Sequence, residues 1–259
     1  MFELVYTNEE YIADLQDLME IELEAQELDK ISLVNQEGVI GLIKDKYQNL
    51  RAKLNDKIIS LGNKVSGIMD ESEKAKKNID ELYKDIEKNR KELLDRHIYI
   101  TTFDGTEAAN LFKNITNIMK RLHSLMGDVD INSLDDIARR KKEITDLINR
   151  YANKSYLVKK DFSTTPKQAY KIYKDYIHDL NKNLENLQSD LKFFKENLQR
   201  HYDKKDQYQE KDFFKRDVSI DTFRISATSR IIKLTEFAVN LVTSSTYKAL
   251  RSAAIAKGN

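Results

Sequence analysis

The sequence predicts an elongated all-α protein: a helical bundle with two long heptad helices, a helical hairpin between them, and terminal helices. Three observations carry this. Apolar positions run from Ile40 through Ile43, Tyr47, Leu50, Leu54, Ile58, Leu61, Val65 and Ile68 to Ala75, Ile79, Leu82, Ile86 and Leu93. The steps alternate three and four, the seam of a coiled-coil helix. A second seam runs Tyr170, Tyr173, Ile177, Leu180, Leu184, Leu187, Leu191, Phe194, Leu198, His201 without a break. Finally, one proline and seven glycines in 259 residues leave few places where a helix must stop. The chain divides into an acidic arm and helix (1–35), a coiled-coil rod with an inserted helical hairpin at 106–152 (36–218), and a C-terminal helical segment rich in small residues (219–259).

Residues 2–5 suit a short strand or extended arm. Thr7 and Glu10 form a capping box for a helix from about Asn8 to Lys30. Ile12, Leu15, Leu18, Met19 and Leu23 mark its expected apolar side. A break follows around Ser32–Gly41, and the first long helix then reaches about Arg96. The steps from Leu50 to Leu61 run four, four, three, a stutter that locally unwinds a left-handed supercoil. Ser72 and Asn89 are polar seam positions. Gly62 and Gly67 lie just beyond the stutter, each costing about 1 kcal/mol against alanine. The reading there is a weak point, either bending or merely tolerated.

His97–Asp104 is β-branched and aromatic, so a loop or short extended piece is expected. A helix over 106–126 follows, with Leu111, Ile115, Ile118, Met119, Leu122 and Leu125 apolar and Gly127 closing it. Ser133 caps the helix 133–152, whose apolar positions are Ile137, Ile144, Leu147 and Ile148. Asn153–Thr164 reads as loop. Thr165-Pro166-Lys167-Gln168 is the strongest helix start in the chain: threonine caps, proline takes the first turn, and glutamine returns the bond. The second rod ends between Tyr202 and Arg216. If the hairpin folds back at the end of the first rod, the second returns antiparallel to it. Connectivity favours that pairing within one chain. Charge opposes it mildly, by setting Lys76 and Arg90 near Lys174 and Lys195. From Ser219 acids nearly vanish, and Phe237–Tyr247 is free of charge. This segment reads as one or two helices buried on most sides, covering the open end together with residues 8–30.

The net charge of +1 hides an asymmetry. Residues 1–30 hold ten acids against Lys30 alone, so the head carries −9 and the remainder +10. Head-to-body contact between neighbouring copies is the sharp reading and a solvated helix face the plain one. The residues singled out for interaction are Glu20, Glu24 and Glu27 on the head, Ile79, Leu82, Ile86, Leu184, Leu187 and Leu191 on the seams, and Phe237, Leu241 and Val242 near the C-terminus.

No chemistry-bearing motif emerges. Asp128, Asp130 and Asn132 mimic a calcium loop, but its sixth and twelfth positions are Ser133 and Arg139. The four histidines fall in separate elements, there is no cysteine, and no phosphate-binding glycine loop exists. No catalytic, metal or cofactor site is therefore expected. Arg139-Arg140-Lys141-Lys142 and Lys204–Arg216 are basic, but acids interleave the second. The expected function is a non-enzymatic structural or adaptor component of a multi-copy assembly, with copies of itself among its partners. Frequent lysine, asparagine and isoleucine suggest an AT-rich genome, and a phage virion component fits that. The alternatives are a membrane-active helical protein of the pore-forming kind and a nucleic-acid-binding helical protein. With no signal peptide or long apolar run visible, the expected location is the cytoplasm or a particle assembled there.

Overall fold

The computed structural model describes residues 5, 7–32, 37–102, 105–127, 134–152, 160–203 and 211–255. The fold is all-α. The described residues form α1 (Asn8–Ser32), α2 (Glu37–Asn89), α3 (Gly105–Gly127), α4 (Leu134–Ala152), α5 (Pro166–Asp203) and α6 (Lys211–Ile255). A 3-10 turn, Lys91–Leu93, follows α2. Strands β1 (Ile98–Thr102) and β2 (Lys160–Thr164) make a small antiparallel sheet.

Local signals set the helix starts. Thr7 and Glu10 exchange bonds: the Thr7 N–H donates to Glu10 Oε2 at 2.9 Å, and the Glu10 N–H to Thr7 Oγ1 at 3.2 Å. The Thr7 backbone and hydroxyl together hold the Glu10 carboxyl below the usual range. Thr165 and Gln168 repeat the box at α5, with both bonds at 3.2 Å. Ser133 and the residues Asp128, Asp130 and Asn132 lie outside the described residues, as do residues 1–4 and 204–210.

The seam of α2 is buried from Leu50 to Leu93, save half-buried Leu82 and exposed Asn89. That of α5 is buried from Tyr173 to Leu198. The two helices pair antiparallel within the chain. Tyr170 Oη donates to Asp80 at 2.8 Å, Asn181 to Glu73 at 3.2 Å, Gln188 to Ser66 at 3.1 Å, and Arg51 to Gln199. The register removes the repulsion expected at Lys174, whose ammonium lies 3.5 Å from Asp80. Tyr83 stacks on Tyr170, centroids 3.8 Å apart.

The C-terminal segment differs from expectation. It is one continuous helix that starts at Lys211, and it does not cap an open end. α6 packs against each of the other five helices and β1, and no residue from Ser219 to Tyr247 is exposed. It runs along α4, with Lys141 Nζ 2.6 Å from Ser219 Oγ and Arg230 bonded to Asn149. Its last turns meet the end of α2 (Arg90 to the Ala254 carbonyl, 2.6 Å) and the start of α5 (Thr246 to the Ala169 carbonyl, 3.2 Å). Residues of all six helices share one hydrophobic core.

The sheet is a second difference. β1 falls where an extended piece was expected, but residues 160–164 were read as loop. They pair in the register Ile98↔Thr164 to Thr102↔Lys160. Ile100 faces inward onto Ala169 and Ala249, whose small side chains let the strand lie close. Tyr99, on the other face, is exposed.

α2 passes through Gly62 and Gly67 as one helix. A Cβ at Gly62 would meet nothing within 4 Å, whereas one at Gly67 would lie 2.7 Å from Val5 Cγ1. Gly67 thus makes room for Val5, and Gly62 has no such task. We predict that Gly62→Ala stabilises by up to about 1 kcal/mol. Gly67→Ala should gain nothing or lose stability, because Val5 must move. Urea denaturation of the two variants side by side checks this. Among the described residues the buried hydroxyls of Ser72, Tyr173 and Thr228 find no hydrogen-bond partner. Thr228→Val keeps the shape, removes an unpaired hydroxyl and should stabilise by about 1 kcal/mol in the same assay.

Candidate docking surface

α1 lies antiparallel along α2, and ion pairs hold it there. Asp14 is buried and receives Lys57 at 2.7 Å and Lys64 at 2.5 Å. Lys57 also reaches Asp17, and Lys53 reaches Glu24, each at 2.5 Å. Burial alone would lower the Lys57 pKa, but hydrogen bonds to Asp14 and Asp17 outweigh it and the net shift is upward. Its contribution to stability is therefore complete below the ordinary lysine value of 10.5 and is lost as pH rises through the higher folded value.

This ionic contact rotates α1 away from the expected orientation. Leu18 and Ile21 are buried beside Asp14, and Leu15 is half-buried. Ile12, Met19 and Leu23, expected to face the core, are 55 %, 64 % and 58 % exposed. They sit at spacings of seven and four, so they form one stripe, about 140° round the helix from the buried one. Glu9, Glu20 and Glu27 border that stripe and are exposed. Among the described residues none of the three has an ion pair within the chain.

The other residues singled out for interaction lie elsewhere. Ile79, Ile86, Leu184, Leu187, Leu191, Leu241 and Val242 are buried in the common core, and Leu82 and Phe237 pack against it half-buried. Their apolar surface is taken up by the chain itself. Glu24 is engaged with Lys53, so of the acidic trio Glu20 and Glu27 remain turned outward.

On the far side of α2 a second feature appears, which the sequence reading missed. An open groove of about 1010 Å³ runs between α2 and the last turns of α5. Arg51, Ala52, Lys192, Lys195 and Arg200 line it over buried Leu198, with Glu196 the single acid. Its cations come from helices 140 residues apart in sequence, so no local run announces them. The basic run at 139–142 does not form a comparable patch. Arg139 pairs with Asp136, while Lys141 turns inward, 5.4 Å from the centroid of Phe223, where burial lowers its pKa.

Among the described residues no group of histidine, aspartate and glutamate could hold a metal ion, and no helix is long and apolar enough to cross a membrane. No family model, curated protein or solved structure matches the chain.

Asp14 is the keystone of the α1–α2 contact. Asp14→Asn should cost about 2 kcal/mol, between the values for exposed and fully buried pairs. It should also lower the Lys57 pKa, since burial persists while one carboxylate is gone. Chemical denaturation and an NMR titration of the lysine side chains measure the two effects.

Proposed function

We propose that this protein is a non-enzymatic structural or adaptor component of a larger assembly, and that it docks through the outer side of α1. One observation carries the reading: Ile12, Met19 and Leu23 share one uncovered face of α1, whereas the other exposed large hydrophobic residues among the described ones, Ile59, Tyr99 and Ile255, lie singly on separate elements. A helix with one apolar face on its own fold and another facing out suits a position between two bodies. Glu20 and Glu27 beside it give the surface a sign, so the partner should be basic at its rim. The long bundle acts as the spacer that carries this surface. Composition supports a particle assembled in the cytoplasm, of which a phage virion is one kind. The membrane-active reading would require α6 to leave the bundle while carrying Arg224, Arg230, Lys233 and Glu236.

The test is the mass of the particle purified from the protein's own cells. It should exceed the mass of one chain by light scattering. Met19→Lys with Leu23→Lys should return it to a single chain and leave the melting temperature within a few degrees, because both side chains are exposed. A particle of unchanged mass carrying the double variant would show that α1 is merely solvated.

A further inference from the structure

The docking surface on α1 and the groove between α2 and α5 are complementary. One is an apolar stripe edged by Glu9, Glu20 and Glu27. The other is a trough whose lining holds Arg51, Lys192, Lys195 and Arg200 against Glu196 alone. The trough also offers apolar contact, through Ala52 and the aliphatic stems of its long cations. An amphipathic helix laid in such a groove, acids against cations, is a known mode of recognition.

The chain's own α1 cannot fill the groove. It is fastened to α2 through Lys53, Lys57 and Lys64, while Arg51, Ala52 and Asn55 point to the groove. At 100° per residue these two sets lie on nearly opposite sides of α2. A helix complementary to the groove would then come from another molecule. We infer that it is a second copy of this chain, whose α1 lies in the groove through Ile12, Met19 and Leu23, with Glu20 and Glu27 against Lys192 and Lys195. This rests on the docking role of α1 and names the partner. Because the two surfaces differ, each copy gives one and receives one. The contact is heterologous and either propagates or closes into a ring.

Charge exchange in the purified full-length protein tests it. Light scattering of the wild type should give a mass that rises with concentration to twice the chain mass or more. In 1 M salt, where the Debye length is about 3 Å, it should return to one chain. Glu20→Lys with Glu27→Lys should be monomeric, and so should Lys192→Glu with Lys195→Glu. All four residues are exposed, so both variants should keep the wild-type melting temperature. Mixed in equal amounts, the two should recover the wild-type mass, since each then meets the opposite sign. A change that merely damaged the fold would not be rescued by mixing. The inference is overturned if the pure wild type stays at the chain mass, if the groove variant assembles as the wild type does, or if mixing restores nothing. If the groove variant assembles normally while the α1 variant does not, the groove assignment falls and the docking role of α1 stands. If the α1 variant also assembles normally, both fall.

Discussion

Every helix of this bundle depends on the burial of α6. No residue of the helix is exposed over 29 residues, from Ser219 to Tyr247, and its half-buried positions keep mostly to one stripe, Phe223, Arg230, Lys233, Phe237, Asn240 and Ser244 among them, so most of its polar atoms must be satisfied within the protein. Much of that is done locally. Thr235, Thr243 and Ser245 each bond the carbonyl four residues back, at 2.7–2.8 Å. Hydroxyls that would be costly in an apolar core are thus returned to their own helix. Arg224 and Asp221 meet at 3.2 Å, both buried. Glu236 has no exposed surface and accepts the Val5 N–H at 2.5 Å, with Lys233 at 3.4 Å. The small buried residues Ala227, Ser229, Ala238, Ala249 and Ala253 leave space for neighbours on several sides at once.

Legibility of the sequence follows from how local each cause is. The boxes at Thr7 and Thr165 and the seams of α2 and α5 were readable because each is set by residues three or four apart. The sheet was not. β2 has only Phe162 and Thr164 as strand formers, and its stability comes from pairing with residues some 60 positions earlier. The place of α6 was half legible. Its lack of charge signalled burial, but a helix whose buried residues spread over most of its circumference points to no one partner, so the segment was read as a cap. For α1 the sequence contained two candidate stripes. Tyr11, Asp14, Leu18 and Ile21 keep helical spacing as well as Ile12, Leu15, Met19 and Leu23 do. The second is the more apolar, yet the first is buried, because Asp14 finds Lys57 and Lys64 on a helix whose register no local rule supplies.

That outcome also bears on the candidate site. The acidic head was visible as a −9 segment, but charge alone did not separate the acids that build the fold from those left over. Asp14, Asp17 and Glu24 are engaged by α2. Glu20 and Glu27 differ from them only by their angle on the helix. The groove across α2 was invisible for the opposite reason. Its lysines lie within α5 among acids of equal number, and only folding gathers them on one wall beside Arg51.

The position of α6 in the chain has a consequence for biosynthesis. The helix that α1 to α5 all pack against leaves the ribosome after them. Until it emerges, α1 to α5 have no common body to close on, and the buried faces of α2, α3 and α5 stay wet. The rods can pair early, since their contact needs nothing beyond residue 203, but that pair is a trough with an empty floor. Such a nascent chain is a ready target for chaperones and for neighbouring nascent chains on the same message. Productive folding therefore waits for the end of α6. A translational pause just upstream of it would lengthen the period in which the chain is open to misassembly.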